Sequence, residues 1–222
     1  MNIPVFTYAI IGLTVIVSIV GFTNQRILGK NLFSIRSIIR DREIYRLLTS
    51  QLFHVNWVHL IFNMLSFYSF GISMERAFGP GLPAAIYLSS ALCGDMVALL
   101  VRRKDPNYSA VGASGAVCGI IFASIFLLPG GSIIVFPLPV PIPSWAYAIL
   151  FMAVSLYGIG RGETRIGHEA HIGGALAGMA LAVAYRPSIV HQNGLLLAGL
   201  TLPVIIVLII LLKAEKRGRG TS

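Results

Sequence analysis

Charge is scarce in this chain. Only 11% of its 222 residues are charged, whereas 56% are hydrophobic; soluble domains carry about 25% charged residues. With a mean hydropathy of +0.82, a water-soluble fold is excluded and a membrane protein with several spans is expected. Acid is scarcer than base: eight Asp and Glu stand against seventeen Lys and Arg, for a net charge of +9. The basic residues lie in loops and in the tail from Lys213 to Arg219. They are not gathered on a soluble platform, which argues for membrane lipids as partners, through anionic headgroups, and for no nucleic acid. Cysteine is limited to Cys93 and Cys118, both inside apolar segments, so no disulfide framework is expected. The start, Met-Asn-Ile-Pro-Val-Phe, has no basic n-region and reads as a retained span rather than a cleaved signal. No polar linker and no solenoid repeat divides the chain, so one membrane domain is expected.

Apolar runs of about 17–25 residues mark spans. Seven segments qualify or nearly do: Pro4–Phe22, Val55–Ile72, Leu82–Val101, Ser114–Leu128, Ser144–Ile159, His171–Ala184 and Leu195–Leu212. The last contains Pro203, a candidate kink. Between the first two, Leu32, Ile35, Ile38 and Ile39 recur at helical spacing, a pattern that suits a helix lying in the interface. Alternating prolines from Phe136 to Pro143 predict an extended connector. The fourth and sixth segments are short. A helix that starts below the membrane surface leaves a water-accessible space above its first residue, and the expected first residues are Ser114 and His171.

Polar groups at membrane depth are expensive, so each is a functional hypothesis. Ser114 sits in Gly112-Ala113-Ser114-Gly115, and His171 opens Ala170-His171-Ile172-Gly173-Gly174. Small residues let helices approach closely, and Gly115, Gly119, Gly174 and Gly178 lie beside the serine and the histidine at four-residue spacing. Common as such glycine pairs are in membrane helices, here they coincide with a nucleophile type and a base type. His59 and Asn63 are four apart on one helix face and offer N–H donors to one developing oxyanion; interhelical hydrogen bonding is the plainer use of such residues. Arg46, Glu75 and Asp95 read as structural. Zinc is the enzyme rival, through His54, His59, His168 and His171, but His168-Glu169-Ala170-His171 spaces its histidines three apart, not four as in H-E-x-x-H. No metal and no cofactor is expected, and the pattern fixes no oligomeric state.

Five motifs in order carry a resemblance. They are Arg46-x-x-Thr49-x-x-x-Phe53-His54, His59-Leu-Ile-Phe-Asn63-Met64, Gly71-x-x-x-Glu75-x-x-x-Gly79, Gly112-Ala-Ser114-Gly115 and Ala170-His171-x-x-Gly174. From Arg46 to Gly178 the chain resembles the rhomboid family of intramembrane serine proteases. The resemblance implies an all-α, polytopic membrane helix bundle. A six-helix catalytic core would occupy residues 1–190, and 191–222 would add a seventh C-terminal transmembrane helix and a basic tail. It implies Ser114 as nucleophile and His171 as general base, without an acid. His59 and Asn63 would line the oxyanion hole with the Ser114 N–H; His54, Gly112 and Gly115 would support the site. Substrates would be the transmembrane helices of other proteins, cut within a bacterial or archaeal cell membrane. The non-enzyme alternative is an inactive rhomboid-like protein that escorts clients, although such relatives usually lack the serine or the histidine.

Two features depart from the family's pattern. Cys118 stands where some members have a tyrosine four residues after the nucleophile, and the Trp-Arg pair of the first loop is replaced by Tyr45-Arg46. Charge also opposes the family's orientation. With the N-terminus inside, Arg76 and Arg186 fall on the cytoplasmic side and the other fifteen Lys and Arg opposite, the reverse of the positive-inside rule. The family orientation is kept as the expectation, because the first loop is long and is expected to fold into the interface.

Overall fold

The computed structural model describes residues 3–134, 140–161 and 166–217. Among these are eleven helices and two short antiparallel strand pairings. The long helices are α1 (Val5–Thr23), α5 (Trp57–Phe78), α6 (Gly81–Arg102), α7 (Ser114–Leu127), α8 (Ser144–Arg161), α9 (His168–Tyr185) and α11 (Gly194–Arg217). By length and composition, α1, α6 and α11 are apolar enough to cross a membrane, and α7 and α8 are shorter apolar helices. The fold is an all-α membrane bundle, as the sequence predicted.

Two of the helices turn polar groups inward and apolar ones outward. α1 buries Thr7, Thr14, Ser18 and Gly21 and turns Val5 and Ile16 outward. α5 buries Asn63, Ser66 and Glu75 while Val58, Ile61 and Leu65 are exposed. Lipid tails are as apolar as leucine, so close packing and internal hydrogen bonds hold such helices together. Glu75 shows how: its carboxylate accepts from the backbone N–H groups of Phe6 and Thr7 and from the Thr7 hydroxyl, each at 2.8 Å. It thereby caps the start of α1, whose first N–H groups have no partner within the helix.

The polar first loop is where expectation and structure part. No single interface helix forms. The segment breaks into α2 (Gln25–Asn31), β1 (Phe33–Ser34), α3 (Ile35–Ile39), α4 (Arg46–Thr49) and a 3₁₀ turn, Ser50–Leu52. Asn24 ends α1 and starts α2 by accepting from the N–H groups of Arg26 and Ile27. β1 pairs antiparallel with β2 (Ser109–Ala110), Phe33 opposite Ala110. Arg46 ties the pieces, donating to the carbonyls of Gly29 and Leu32 at 2.9 Å and to Glu43 at 2.6 Å.

Two further boundaries differ. α9 begins at His168, not at His171, so His171 lies at the end of its first turn. α5 runs on to Phe78, past the expected Ile72. The proline connector is extended where it is described: β4 (Pro141–Pro143) pairs with β3 (Ser132–Ile134), while residues 135–139 lie outside the described residues. After α9, the short α10 (Ile189–Gln192) leads into α11, which carries Pro203 inside a continuous helix. Arg103 donates to the Glu215 carboxylate and Lys104 to its carbonyl. The end of α11 therefore stands at the same end of the bundle as the end of α6.

The core centres on α7, every residue of which is buried. α9 packs on it and on α6 without room for side chains between the backbones. A Cβ on Gly174 would overlap the Gly115 carbonyl, one on Gly178 the Gly119 carbonyl, and one on Gly173 the Cys93 carbonyl. The glycines predicted to allow close approach do so.

Candidate active site

The start of α7 is held from two sides. β2 is paired to β1, and the Gly112 N–H donates to the Ser50 carbonyl at 3.1 Å. Gly112 itself has φ +134°, a region that side chains avoid. This turn sets Ser114 as the first residue of α7, 5% exposed. Its backbone N–H belongs to the first turn, where donors lack intrahelical partners and the helix dipole favours negative charge.

α9 starts at the same end of the bundle, held by a polar clamp. Arg102 from the end of α6 forms an ion pair with Glu169, and Tyr108 from the following loop donates to the same carboxylate at 2.8 Å. The Arg102 guanidinium also lies over the Tyr108 ring. Burial, and then the neighbouring carboxylate, push the Tyr108 phenol above its ordinary range, so it stays a donor. Glu169 is thus engaged away from His171.

The glycine contacts between α7 and α9 bring the expected nucleophile and base together. His171 Nε2 lies 2.5 Å from Ser114 Oγ, and both residues are buried. On the other side of the ring, Nδ1 lies 2.5 Å from the hydroxyl of Ser155, on α8. The Phe151 ring stands 5.1 Å from the imidazole, centroid to centroid. Cys118, fully buried one turn below Ser114, donates its thiol to the His171 carbonyl at 3.3 Å. His168 meets His171 edge to face at 5.6 Å. Among the described residues, no three His, Cys, Asp or Glu side chains are grouped to hold a metal ion.

The remaining candidates surround the Gly112 turn. The His59 ring lies where a Cβ on Gly112 would project. Asn63 is buried and donates one amide N–H to the His59 carbonyl at 2.9 Å. His54 lies 4.9 Å from His59, centroid to centroid. Its Nδ1 is 3.0 Å from the Ser18 hydroxyl, and its Nε2 faces the Ala113 N–H at 3.5 Å. Gly115 lies against the Ala170 carbonyl. Asp95 lies behind Ser114 with Ser50, which donates to it at 3.3 Å. A cleft of about 250 Å³ opens next to the turn, lined by Gln25, Leu28, Leu32, Val55 and Val111 among others.

Sequence reasoning missed Ser155 and Phe151. The one available signal was a hydroxyl in an otherwise apolar span, which is common enough to pass unremarked.

The rhomboid domain family model matches residues 41–188. RHOMBOID-like protein 12, mitochondrial, of Arabidopsis thaliana is 29% identical over 167 residues, 68% of this chain and 49% of that protein. Rhomboid protease GluP of Bacillus subtilis is 29% identical over 186 residues, 82% of this chain and 35% of that protein. Rhomboid protease AarA of Providencia stuartii is 29% identical over 221 residues, 92% of this chain and 75% of that protein. The chain therefore spans half or less of the length of the first two. With a matching family model over most of its length, and a helical membrane bundle around the expected motifs, the chain belongs to the rhomboid family.

Proposed function

We propose that this chain is an intramembrane serine endopeptidase that cleaves transmembrane segments of other membrane proteins. The observation that carries the reading is the 2.5 Å approach of His171 Nε2 to Ser114 Oγ on two buried helices. Family membership, with relatives named as proteases, supports it.

In this reading Ser114 Oγ attacks the scissile carbonyl as its proton passes to His171 Nε2. Charge builds on the substrate oxygen. The Ser114 N–H at the start of α7, with His59 and Asn63 from α5, would receive that charge. His54 would hold the Gly112 turn, and Gly112 and Gly115 would let α5 and α9 approach. The imidazolium then returns the proton to the leaving amine, and a water repeats the sequence to release the acyl group. No metal or cofactor is required. Residues 1–190 would form the catalytic core, and α11 would be an addition packed outside it.

The substrates proposed are transmembrane helices, reaching the site from the membrane lipids that surround the bundle. A bacterial or archaeal cell membrane is its proposed location; its relatives include bacterial proteins and a mitochondrial one. A fluorophosphonate probe on the purified, reconstituted protein tests the chemistry. The expected adduct maps to Ser114 and is lost in His171→Ala. Absence of any adduct on a folded protein favours a client-binding, non-proteolytic role.

A further inference from the structure

We propose that Ser155 is a positioning residue that holds His171 in the tautomer with its proton on Nδ1, leaving Nε2 free to accept from Ser114. The proposal rests on the reading of Ser114 and His171 as nucleophile and base, and it deepens that reading by supplying the orienting third group.

A serine hydroxyl has one O–H to donate and two lone pairs. The Ser155 hydroxyl donates to the Phe151 carbonyl, one turn back on α8, at 2.8 Å. We assign that proton to the carbonyl, which leaves the oxygen to meet His171 Nδ1, 2.5 Å away, as an acceptor. A neutral imidazole carries one proton, and the bond made by one nitrogen sets the state of the other. Nδ1 therefore keeps the N–H, and the lone pair lies on Nε2, the nitrogen 2.5 Å from Ser114 Oγ. The opposite tautomer would present an N–H to Ser114 and could not take its proton.

The arrangement also suits the step that follows. When Nε2 accepts the serine proton, both ring nitrogens become donors. Nδ1–H keeps its acceptor, and donation to Phe151 polarises the Ser155 oxygen toward it. The same helix braces the ring through Phe151, at 5.1 Å. A carboxylate in this place would add a buried charge, whereas the hydroxyl orients the ring without one. Glu169, the acid nearest in sequence, is engaged by Arg102 and Tyr108. The device occurs a second time in the chain. Ser18 donates to the Leu52 carbonyl at 3.0 Å and meets His54 Nδ1 at 3.0 Å, while His54 Nε2 faces the Ala113 N–H. In both places a serine anchored on a backbone carbonyl meets the Nδ1 side of a histidine next to the Gly112–Ser114 turn.

The test uses the full chain in proteoliposomes, with a fluorogenic transmembrane peptide as substrate and ¹⁵N-histidine labelling for NMR. In the wild type, the His171 signals are expected to show a protonated Nδ1 and an imine Nε2. Ser155→Ala should lower kcat about ten- to a hundredfold, by analogy with loss of the partner that orients a metal-bound histidine, with KM little changed, and should mix the tautomers. Ser155→Thr, which keeps the hydroxyl, should restore both. An imine at Nδ1 in the wild type overturns the proposal, and so does unchanged kcat in a folded Ser155→Ala. Should that variant fail to fold, the wild-type tautomer still decides. Failure of the underlying reading is distinct: the wild type would then show no Ser114 labelling and no loss on His171→Ala, whatever the tautomer.

Discussion

The ring of His59 fills the place where a side chain on Gly112 would project. One glycine thus lets α5 reach the turn that sets Ser114, and puts an N–H donor type beside it. His59→Ala and Asn63→Ala should each lower turnover by about 10²–10³-fold, the usual effect of removing one oxyanion donor. Changes in KM should be smaller. The double variant should lose less than the product of the two, since both act on one charge. Steady-state kinetics in proteoliposomes measure this. Near-normal turnover in both single variants would leave these residues as interhelical hydrogen-bonding groups and throw the oxyanion role onto backbone N–H groups.

Gly112→Ala should be more disruptive than its size implies. It forces a side chain into a φ of +134°, a strain of order 1–3 kcal/mol, and drives a methyl into the His59 ring. A lower unfolding temperature together with lost turnover is expected. Gly199→Ala, on α11, has open space around its Cβ and serves as the silent control.

Glu169 is engaged by Arg102 and Tyr108, so Glu169→Gln should act on stability more than on chemistry. Hydrogen bonds to a charged group are worth about 1.5–3 kcal/mol. Turnover should fall far less than the roughly 10²–10⁴-fold expected when a general base is removed, as in His171→Ala. The Tyr108 phenol is raised above its ordinary value, by burial first and then by Glu169. Its contribution is fully present below the ordinary phenol value of about 10 and is lost only as pH rises through the shifted one. The stability cost of Tyr108→Phe should therefore be the same at pH 6 and pH 9. A turnover loss in Glu169→Gln matching that of His171→Ala, with the fold intact, would make the acid part of a triad.

The α7–α9 contact should tolerate no added atom at Gly174. A Cβ there overlaps the Gly115 carbonyl, next to Ser114, and backbone cannot swing aside as a flexible side chain would. Gly174→Ala is expected to destabilise by about 1–3 kcal/mol. Because the helices must separate, it should also lower turnover beyond the loss of folded protein. Thermal unfolding and kcat on the same preparation distinguish the two effects.

The sequence made the seven long helices and the approach of Ser114 to His171 legible because both depend on local signals. These are apolar runs, and glycines flanking a polar residue at a helix start. What it hid depends on partners far along the chain. The start of α9 was misjudged because His168-Glu169-Ala170 reads as polar loop until Arg102 and Tyr108, more than sixty residues earlier, neutralise Glu169. The first loop looked like one amphipathic helix because nothing near Phe33 announces its pairing with Ala110. Ser155 escaped because a serine bonded to the carbonyl four residues back is what an unremarkable span serine does. Only the fold brings His171 to its other lone pair.

The most direct measurement is cleavage of a transmembrane substrate by the reconstituted protein and by Ser114→Ala, at equal folded amounts and in the presence of a zinc chelator. The account predicts a single cut within or beside the substrate's membrane segment by the wild type, untouched by the chelator, and none by Ser114→Ala. Undiminished cleavage by Ser114→Ala would contradict it.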